Sequence, residues 1–415
     1  MRLGRGIALT APSIVVISDI DPLTNRLGST EYLDAIISML ANRKAKLSLV
    51  VTGLHGPAVL RVPRGAYNHY ARHFAEVRLY RAITIGKHIY STDPQQWLDF
   101  LRRKLGAKPQ RKRAWLGPVD GPRYRWAVAK LRSMRPDLVV CNYFNTVPIA
   151  TEVTETIPCV VLMHDLIEAR RQSFEAQGLK PDFDDTIIEA ERDNLSKADL
   201  CIAIKSSDAM RLGTMCPHVS TITAPMTLDA TPFHSPVDSG PVAIFVGGGF
   251  EANVNGLAWA MTEVWPKVRA EIPDARLRVV GKVADASGLP WPEGAERVGF
   301  VDDLAVEYSA ARVAIAPLFI GSGMKIKVVE ALGHGVHVIT TTCGAEGLED
   351  IAPEFMAVTD DADGFAKLLV DALRNPEPDE QRKARHHFAQ ERFSRDAVQA
   401  HLLTAIAALR INTKE

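Results

Sequence analysis

The chain has 415 residues, 47% hydrophobic and 24% charged, with a net charge of zero. That length outgrows one hydrophobic core and suits two domains, and the balance excludes a disordered or fibrous protein. Five scattered cysteines, Cys141, Cys159, Cys201, Cys216 and Cys343, form no metal-binding spacing, and neither an export signal nor a run of about 18 apolar residues is present. A cytoplasmic protein without structural zinc is expected.

Short β-type runs alternate with helical patterns along the whole chain. In the first half the expected strands are Ile14–Ser18, Leu47–Thr52, Val77–Tyr80, Leu138–Cys141, Val160–Met163 and Leu200–Ile204, with helices near 29–42, 94–105, 122–134 and 184–197. The cluster Pro232, Pro236, Gly240 and Pro241 reads as a linker. A second series follows: Val242–Val246, Leu277–Val280, Val313–Ala316 and Val336–Ile339, with helices near 254–271, 303–310, 325–333 and 362–374. Two successive βα series predict two doubly wound parallel sheets, Rossmann-like domains facing across a cleft, with ligands at the carboxyl ends of the strands. The expected domains are 1–235, completed by a C-terminal helix at 390–415, and 241–389.

The zero net charge hides an asymmetry. Residues 1–230 carry 31 Lys and Arg against 23 Asp and Glu, a balance of +8; the rest carry 18 against 26, a balance of −8. The excess concentrates between Arg102 and Arg135, where twelve basic residues face only Asp120 and interleave with Trp115 and Trp126. Such a stretch can rest peripherally on an anionic membrane or hold a phosphorylated acceptor; a solvated surface explains it equally. No nucleic-acid-binding module accompanies it.

The segment Gly321-Ser-Gly-Met-Lys-Ile-Lys-Val-Val-Glu330 carries the most chemistry. Gly321 and Gly323 let an anion approach the backbone, and the helix that follows points its unpaired N–H groups and positive dipole end at it. A diphosphate fits there, and Glu330, two turns on, can accept hydrogen bonds from a ribose. The alternative is an ordinary αβ connection with a surface glutamate. Gly28, after the loop Asp19–Arg26, is either a second point of close sugar or phosphate approach or a turn glycine before a helix cap at Ser29 or Thr30.

Several ordered motifs resemble the GT-B fold glycosyltransferases, specifically the retaining family 4. Phe245-Val-Gly-Gly-Gly249 with the helix ending at Val264-Trp-Pro266, Ala275 to Gly281, Val298-Gly-Phe-Val301, Ala316-Pro-Leu318, Gly321 to Glu330 and Thr341 to Leu348 occur in the family's order. The resemblance covers residues 242–375 well and the first half loosely. It implies that Glu330 binds the nucleotide ribose, that Gly323 and Met324 contact the donor phosphates, that Gly248 and Gly249 line the diphosphate, and that His164 in Val160-Val-Leu-Met-His-Asp165 reaches the transferred sugar. Asp165 would help position the acceptor. Ser322 stands where the family often has a first glutamate, and the usual Gly-Arg plus Lys pair is missing. Lys325, then Lys327, is expected to supply the positive charge, although Lys327 could instead pair with Glu330.

The activity implied is transfer of a sugar from a nucleoside-diphosphate sugar to a glycan, lipid-linked or other hydroxyl acceptor with retention, in cell-surface polysaccharide or glycoconjugate synthesis. No metal or other cofactor is expected. A sugar-nucleotide epimerase on the same fold and a catalytically silent nucleotide-sugar or head-group binder are the alternatives.

Overall fold

Runs of Val, Ile and Leu with no polar alternation settle in a sheet covered on both faces, and central strands of both halves are of this kind. The computed structural model describes residues 12–19, 28–41, 45–53, 59–61, 73–85, 88–105, 116–153, 156–180, 185–229 and 232–409. The first half contributes β1 (Ser13–Ser18), β2 (Lys46–Val51), β3 (Val59–Arg61), β4 (Glu76–Leu79), β5 (Ala82–Ile85), β6 (His88–Ser91), β7 (Leu138–Asn142), β8 (Cys159–Met163), β9 (Leu200–Ala203) and β10 (Ser220–Thr223). Seven of these form one parallel sheet in the order β10-β9-β8-β7-β1-β2-β4. The other three make a small antiparallel sheet, β3-β6-β5, which the sequence reading did not predict.

The second half contributes β11 (Val242–Val246), β12 (Arg276–Val280), β13 (Ala295–Gly299), β14 (Val313–Ala316), β15 (His337–Thr340) and β16 (Met356–Val358), all parallel in the order β13-β12-β11-β14-β15-β16. That is the doubly wound order with its reversal between β11 and β14; in the first sheet the reversal falls between β1 and β7. Loops leaving such adjacent strands diverge to opposite faces and open a crevice at their carboxyl ends.

The chain packs as two units. The first comprises residues 1–167, 182–224 and 399–415; the second comprises 168–181 and 225–398. The Pro232–Pro241 stretch therefore falls within the second unit, and residues 168–181 group with it. The helix Arg395–Ala408 is divided between the groupings, and Gln399 Nε2 donates to Met39 O in the first unit, 3.2 Å. The core of the second unit gathers around the buried side chains of Trp265, Phe245 and Phe365. Its helix from Glu251 carries a π turn at Ala260–Val264, where Pro266 removes a backbone donor from the ladder.

Candidate functional site

The second unit places its glycine segments at the reversal of strand order. β11 ends at Val246 and runs into Gly247-Gly248-Gly249 before the helix Glu251–Trp259; β14 ends at Ala316 and leads through Gly321–Lys325 into the helix Ile326–Gly333. Gly321 and Gly323 have φ of 112° and 81°, conformations that a side chain would strain. The loop is held from several directions. Gly321 N donates to Ser173 Oγ at 3.0 Å, Cys343 Sγ approaches Gly321 O, and Met324 is buried. Ser322 lies half-buried between the two glycines.

The helix after β11 touches the loop after β14 through backbone. A Cβ on Gly256 would lie 1.8 Å from Pro317 O, so only glycine lets the helix after β11 approach the loop after β14. Asn253, in the first turn of that helix, joins the two glycine segments: its amide nitrogen donates to Gly248 O at 2.8 Å and its oxygen accepts from Lys327 Nζ. Gly249 lies in the same turn, beside Lys282 O.

The two lysines differ. Lys325 is the residue that precedes the helix rather than part of its first turn, and its ammonium reaches Gly323 O at 2.8 Å and Glu346 at 3.2 Å. Lys327 turns its ammonium inward over the Phe245 ring, 4.6 Å from the centroid. Burial, with Lys325 adding to it and Glu330 opposing, pushes the Lys327 pKa down to about 7. It donates to Asn253 across the two loops, and the Glu330 carboxylate acts on it electrostatically from its own helix.

Glu330 is half-buried on the same helix, and the buried hydroxyl of Tyr308 donates to its Oε2 at 3.3 Å. Burial and the neighbouring carboxylate hold the Tyr308 pKa well above the usual phenol range, so Tyr308 remains a donor. Its ring stacks on His334 at 4.8 Å. The C-terminal end of this helix is fixed by the helix Asp379–Phe393, where His386 Nδ1 meets Gly333 O at 2.6 Å and Arg385 donates to Gly335 O at 2.8 Å. Asn253, Tyr308 and Glu346 escaped the sequence reading. Asn253 alone left a signal, as a polar residue one turn after a glycine run.

The first unit carries a different set at its own reversal point. Ser18 and Asp19 end β1, Thr52 follows β2, Asn142 ends β7 and His164 follows β8, all buried. Asp19 accepts from Thr52 Oγ1, Asn145 Nδ2 and Arg123. Asn142 Nδ2 donates to Ser18 Oγ at 2.9 Å, which turns its carbonyl oxygen to His164 Nε2 at 2.6 Å. An oxygen acceptor there requires the proton on Nε2, so His164 Nδ1 carries the lone pair, and it has no hydrogen-bond partner among the described residues. Burial pushes the His164 pKa down to about 4, against the pull of Asp165, which keeps the ring neutral.

Two aromatic rings enclose this imidazole. Tyr143 stacks on it at 4.4 Å and Tyr32 meets it edge-on at 5.2 Å. Tyr143 has φ 70° and ψ 162°, a strained conformation for a non-glycine residue that sets its ring against His164. Its hydroxyl lies 3.3 Å from Asp165 Oδ1. Gly28 is the first residue of the helix Gly28–Ala41, which starts ahead of the expected cap at Ser29 or Thr30; the loop at 20–27 lies outside the described residues.

Two side chains of the basic stretch of 102–135 have local partners. Arg123 is tied to Asp19 and Pro118 O, and Arg132 to Glu152, because the helix Gly121–Met134 turns these side chains to local acceptors. Residues 106–115, with Lys108, Arg111, Lys112, Arg113 and Trp115, lie outside the described residues. Among the described residues no helix is long and apolar enough to cross a membrane.

Residues 240–375 match the family "Glycosyl transferases group 1". An uncharacterized 44.6 kDa protein in the cps region of Klebsiella pneumoniae is 26% identical over 143 residues, 32% of this chain and 37% of that protein. The match thus spans little more than a third of that relative's length. Among solved structures, sucrose-phosphate synthase from Thermosynechococcus elongatus superposes with a TM-score of 0.67 at 17% identity over 97% of this chain and 100% of that one. Anabaena Alr3699/HepE in complex with UDP gives 0.64 at 12% over 96% and 100%. TarM of S. aureus gives 0.67 at 8% over 97% and 100%. The fold is that of the GT-B glycosyltransferases, two parallel-sheet α/β units, with a group 1 glycosyltransferase domain in the second.

Proposed function

We propose that this protein is a retaining, family 4-type glycosyltransferase that moves a sugar from a nucleoside diphosphate to a hydroxyl acceptor during assembly of a cell-surface polysaccharide. The observation that carries the reading is the join of loop, helix and carboxylate at the β11/β14 reversal. Gly321–Lys325 opens toward a helix N-terminus, and Tyr308 orients Glu330 two turns further on. In this reading Glu330 accepts from the ribose hydroxyls, while Gly248, Gly249, Ser322, Gly323 and Met324 line the diphosphate. Complexes of the HepE protein with UDP and with UDP-glucose support a uridine nucleotide. The match to a cps-region protein supports a polysaccharide acceptor.

The departing diphosphate gains negative charge as the glycosidic bond breaks. Helix N–H groups and the ammonium groups of Lys325 and Lys327 meet that charge, and a preorganised donor set of this kind lowers the barrier without rearrangement. Lys327, held near neutrality in the free protein, takes up a proton as the anion arrives. His164 offers its Nδ1 lone pair to a sugar hydroxyl, and Asp165 orients the acceptor. Retention follows if the acceptor proton passes to a donor phosphate oxygen on the face that the leaving group vacates.

A panel of uridine and guanosine diphosphate sugars tests the reading. The true donor raises the melting temperature by mass action, and the proton coupling at the anomeric carbon of the product reports retention. Absence of stabilisation by every nucleotide sugar overturns the donor site; an inverted product overturns the mechanism alone.

A further inference from the structure

Six of the twelve large apolar side chains that the described residues leave exposed fall between Ile83 and Leu105: Ile83, Ile85, Trp97, Leu98, Leu101 and Leu105. Chance scatter over the chain does not produce this density, and apolar surface gathered in one place marks a contact. The helix Pro94–Lys104 follows β6 directly and is tied to it through Trp97, whose Nε1 donates to Ser91 O at 2.8 Å. At 3.6 residues per turn Leu98, Leu101 and Leu105 fall within about 60° of arc, with Trp97 at the edge of the row, about 40° from Leu101. Leu105 N bonds Leu101 O, which carries the turn through Leu105. The row is about half exposed at Leu98 and Leu101 and 84% exposed at Leu105.

The flanks of the row are cationic. Arg102 lies beside it in the helical projection and Lys104 on the other side, its ammonium over Phe100 at 5.2 Å. The helix carries Arg102, Arg103 and Lys104 against the single acid Asp99, and the sequence continues with Lys108, Arg111, Lys112 and Arg113 before its next acid at Asp120. An apolar row with lysine and arginine at its borders matches the boundary between acyl chains and anionic head groups. A protein partner with an acidic rim would lack the extended negative field that this whole run of charge would use.

We propose that the outer face of the helix Pro94–Lys104 is a membrane-docking surface, on which Leu98, Leu101 and Leu105 enter an anionic lipid leaflet while Arg102 and Lys104 contact the head groups. A docked enzyme meets lipid-linked substrates in two dimensions, but the surface stands on its own observations and does not depend on the donor assignment.

The full chain is sedimented with phosphatidylcholine vesicles with and without phosphatidylglycerol. Association is expected only with the anionic vesicles, weakening as salt is raised. The variant L98S/L101S/L105S should lower the partition coefficient by at least tenfold, with an unchanged melting temperature because these side chains are outside the core. Replacing Arg102 and Lys104 by Gln should weaken binding by about fivefold per charge and flatten the salt dependence. The proposal is overturned if the wild type ignores anionic vesicles, or if the triple variant binds them as the wild type does. It is also overturned if the wild type is a dimer in solution that the triple variant converts to monomer, which would assign the row to a contact between copies.

Discussion

The two units share a strand order and place polar groups at the same topological position, yet they furnish it in opposite ways. The second unit supplies backbone: glycine turns after β11 and β14, helix N-termini and two lysines beside them. The first supplies buried side chains: Ser18, Asn142 and His164 joined in one chain of hydrogen bonds, and Asp19 held by Thr52, Asn145 and Arg123. Backbone N–H groups suit an anion of fixed shape; a neutral imidazole with a fixed tautomer suits one hydroxyl. One fold thus carries two different sets of polar groups at the same position, and fold alone would have distinguished neither.

The largest effect that would break this contrast is steric. Gly256→Ala puts a methyl group against Pro317 O, which should cost about 3 kcal/mol or more because backbone must move on one side. Chemical denaturation followed by the fluorescence of Trp265 would register it; a change under 1 kcal/mol would mean that the two loops are not held together there.

A comparable effect belongs to the first unit and depends on pH. His164 is neutral in the folded protein down to about pH 4, whereas an unfolded histidine binds its proton near 6.5. Between those values the unfolded chain holds the extra proton, so stability falls as pH is lowered from 6.5 to 4, by up to roughly 3 kcal/mol from this group. His164→Gln should flatten the profile in that window whatever it does to the absolute stability. An unchanged slope would assign the loss to other buried histidines such as His334, whose pKa is also about 4.

Asn142→Leu removes the acceptor that holds the His164 proton on Nε2. Turnover should drop by about tenfold with nucleotide affinity intact, and nitrogen-15 NMR of the imidazole should show tautomer exchange that the wild type lacks. Asn142→Asp, which keeps the acceptor, should retain the wild-type tautomer.

The smallest effect concerns Lys327. At pH 8 a lysine with a pKa of about 7 is mostly neutral, and a diphosphate beside it favours the ammonium form. Nucleotide binding should then take up somewhat less than one proton, read by calorimetry in buffers of different ionisation enthalpy. Lys327→Met should abolish the uptake.

Much of the architecture was legible because fully buried parallel strands are written as apolar runs. Val242–Val246 and Val313–Ala316 were read to the residue, and most other strand ends moved by only one. The glycine loop and the helix that carries Glu330 were legible because turns and helix starts are written in short local patterns. Tyr308 and Asn142 were not, since each acts through a partner 22 residues away that only the fold brings near. The same reason hid the separation of Lys325 from Lys327: both sit beside one helix start, but Glu346 draws one and Asn253 with Phe245 draws the other. The local partners of Arg123 and Arg132 were not legible for the same reason, because counting charges along the chain does not show that the fold brings Asp19 and Glu152 beside them.

The division of labour between the units is tested most directly by calorimetric affinity for UDP in three proteins: wild type, Glu330→Ala and His164→Ala. The account predicts a loss of at least tenfold on Glu330→Ala, from the hydrogen bonds that a charged acceptor makes to the ribose, and less than a twofold change on His164→Ala. Equal losses in both variants, or unchanged affinity in Glu330→Ala, would contradict it.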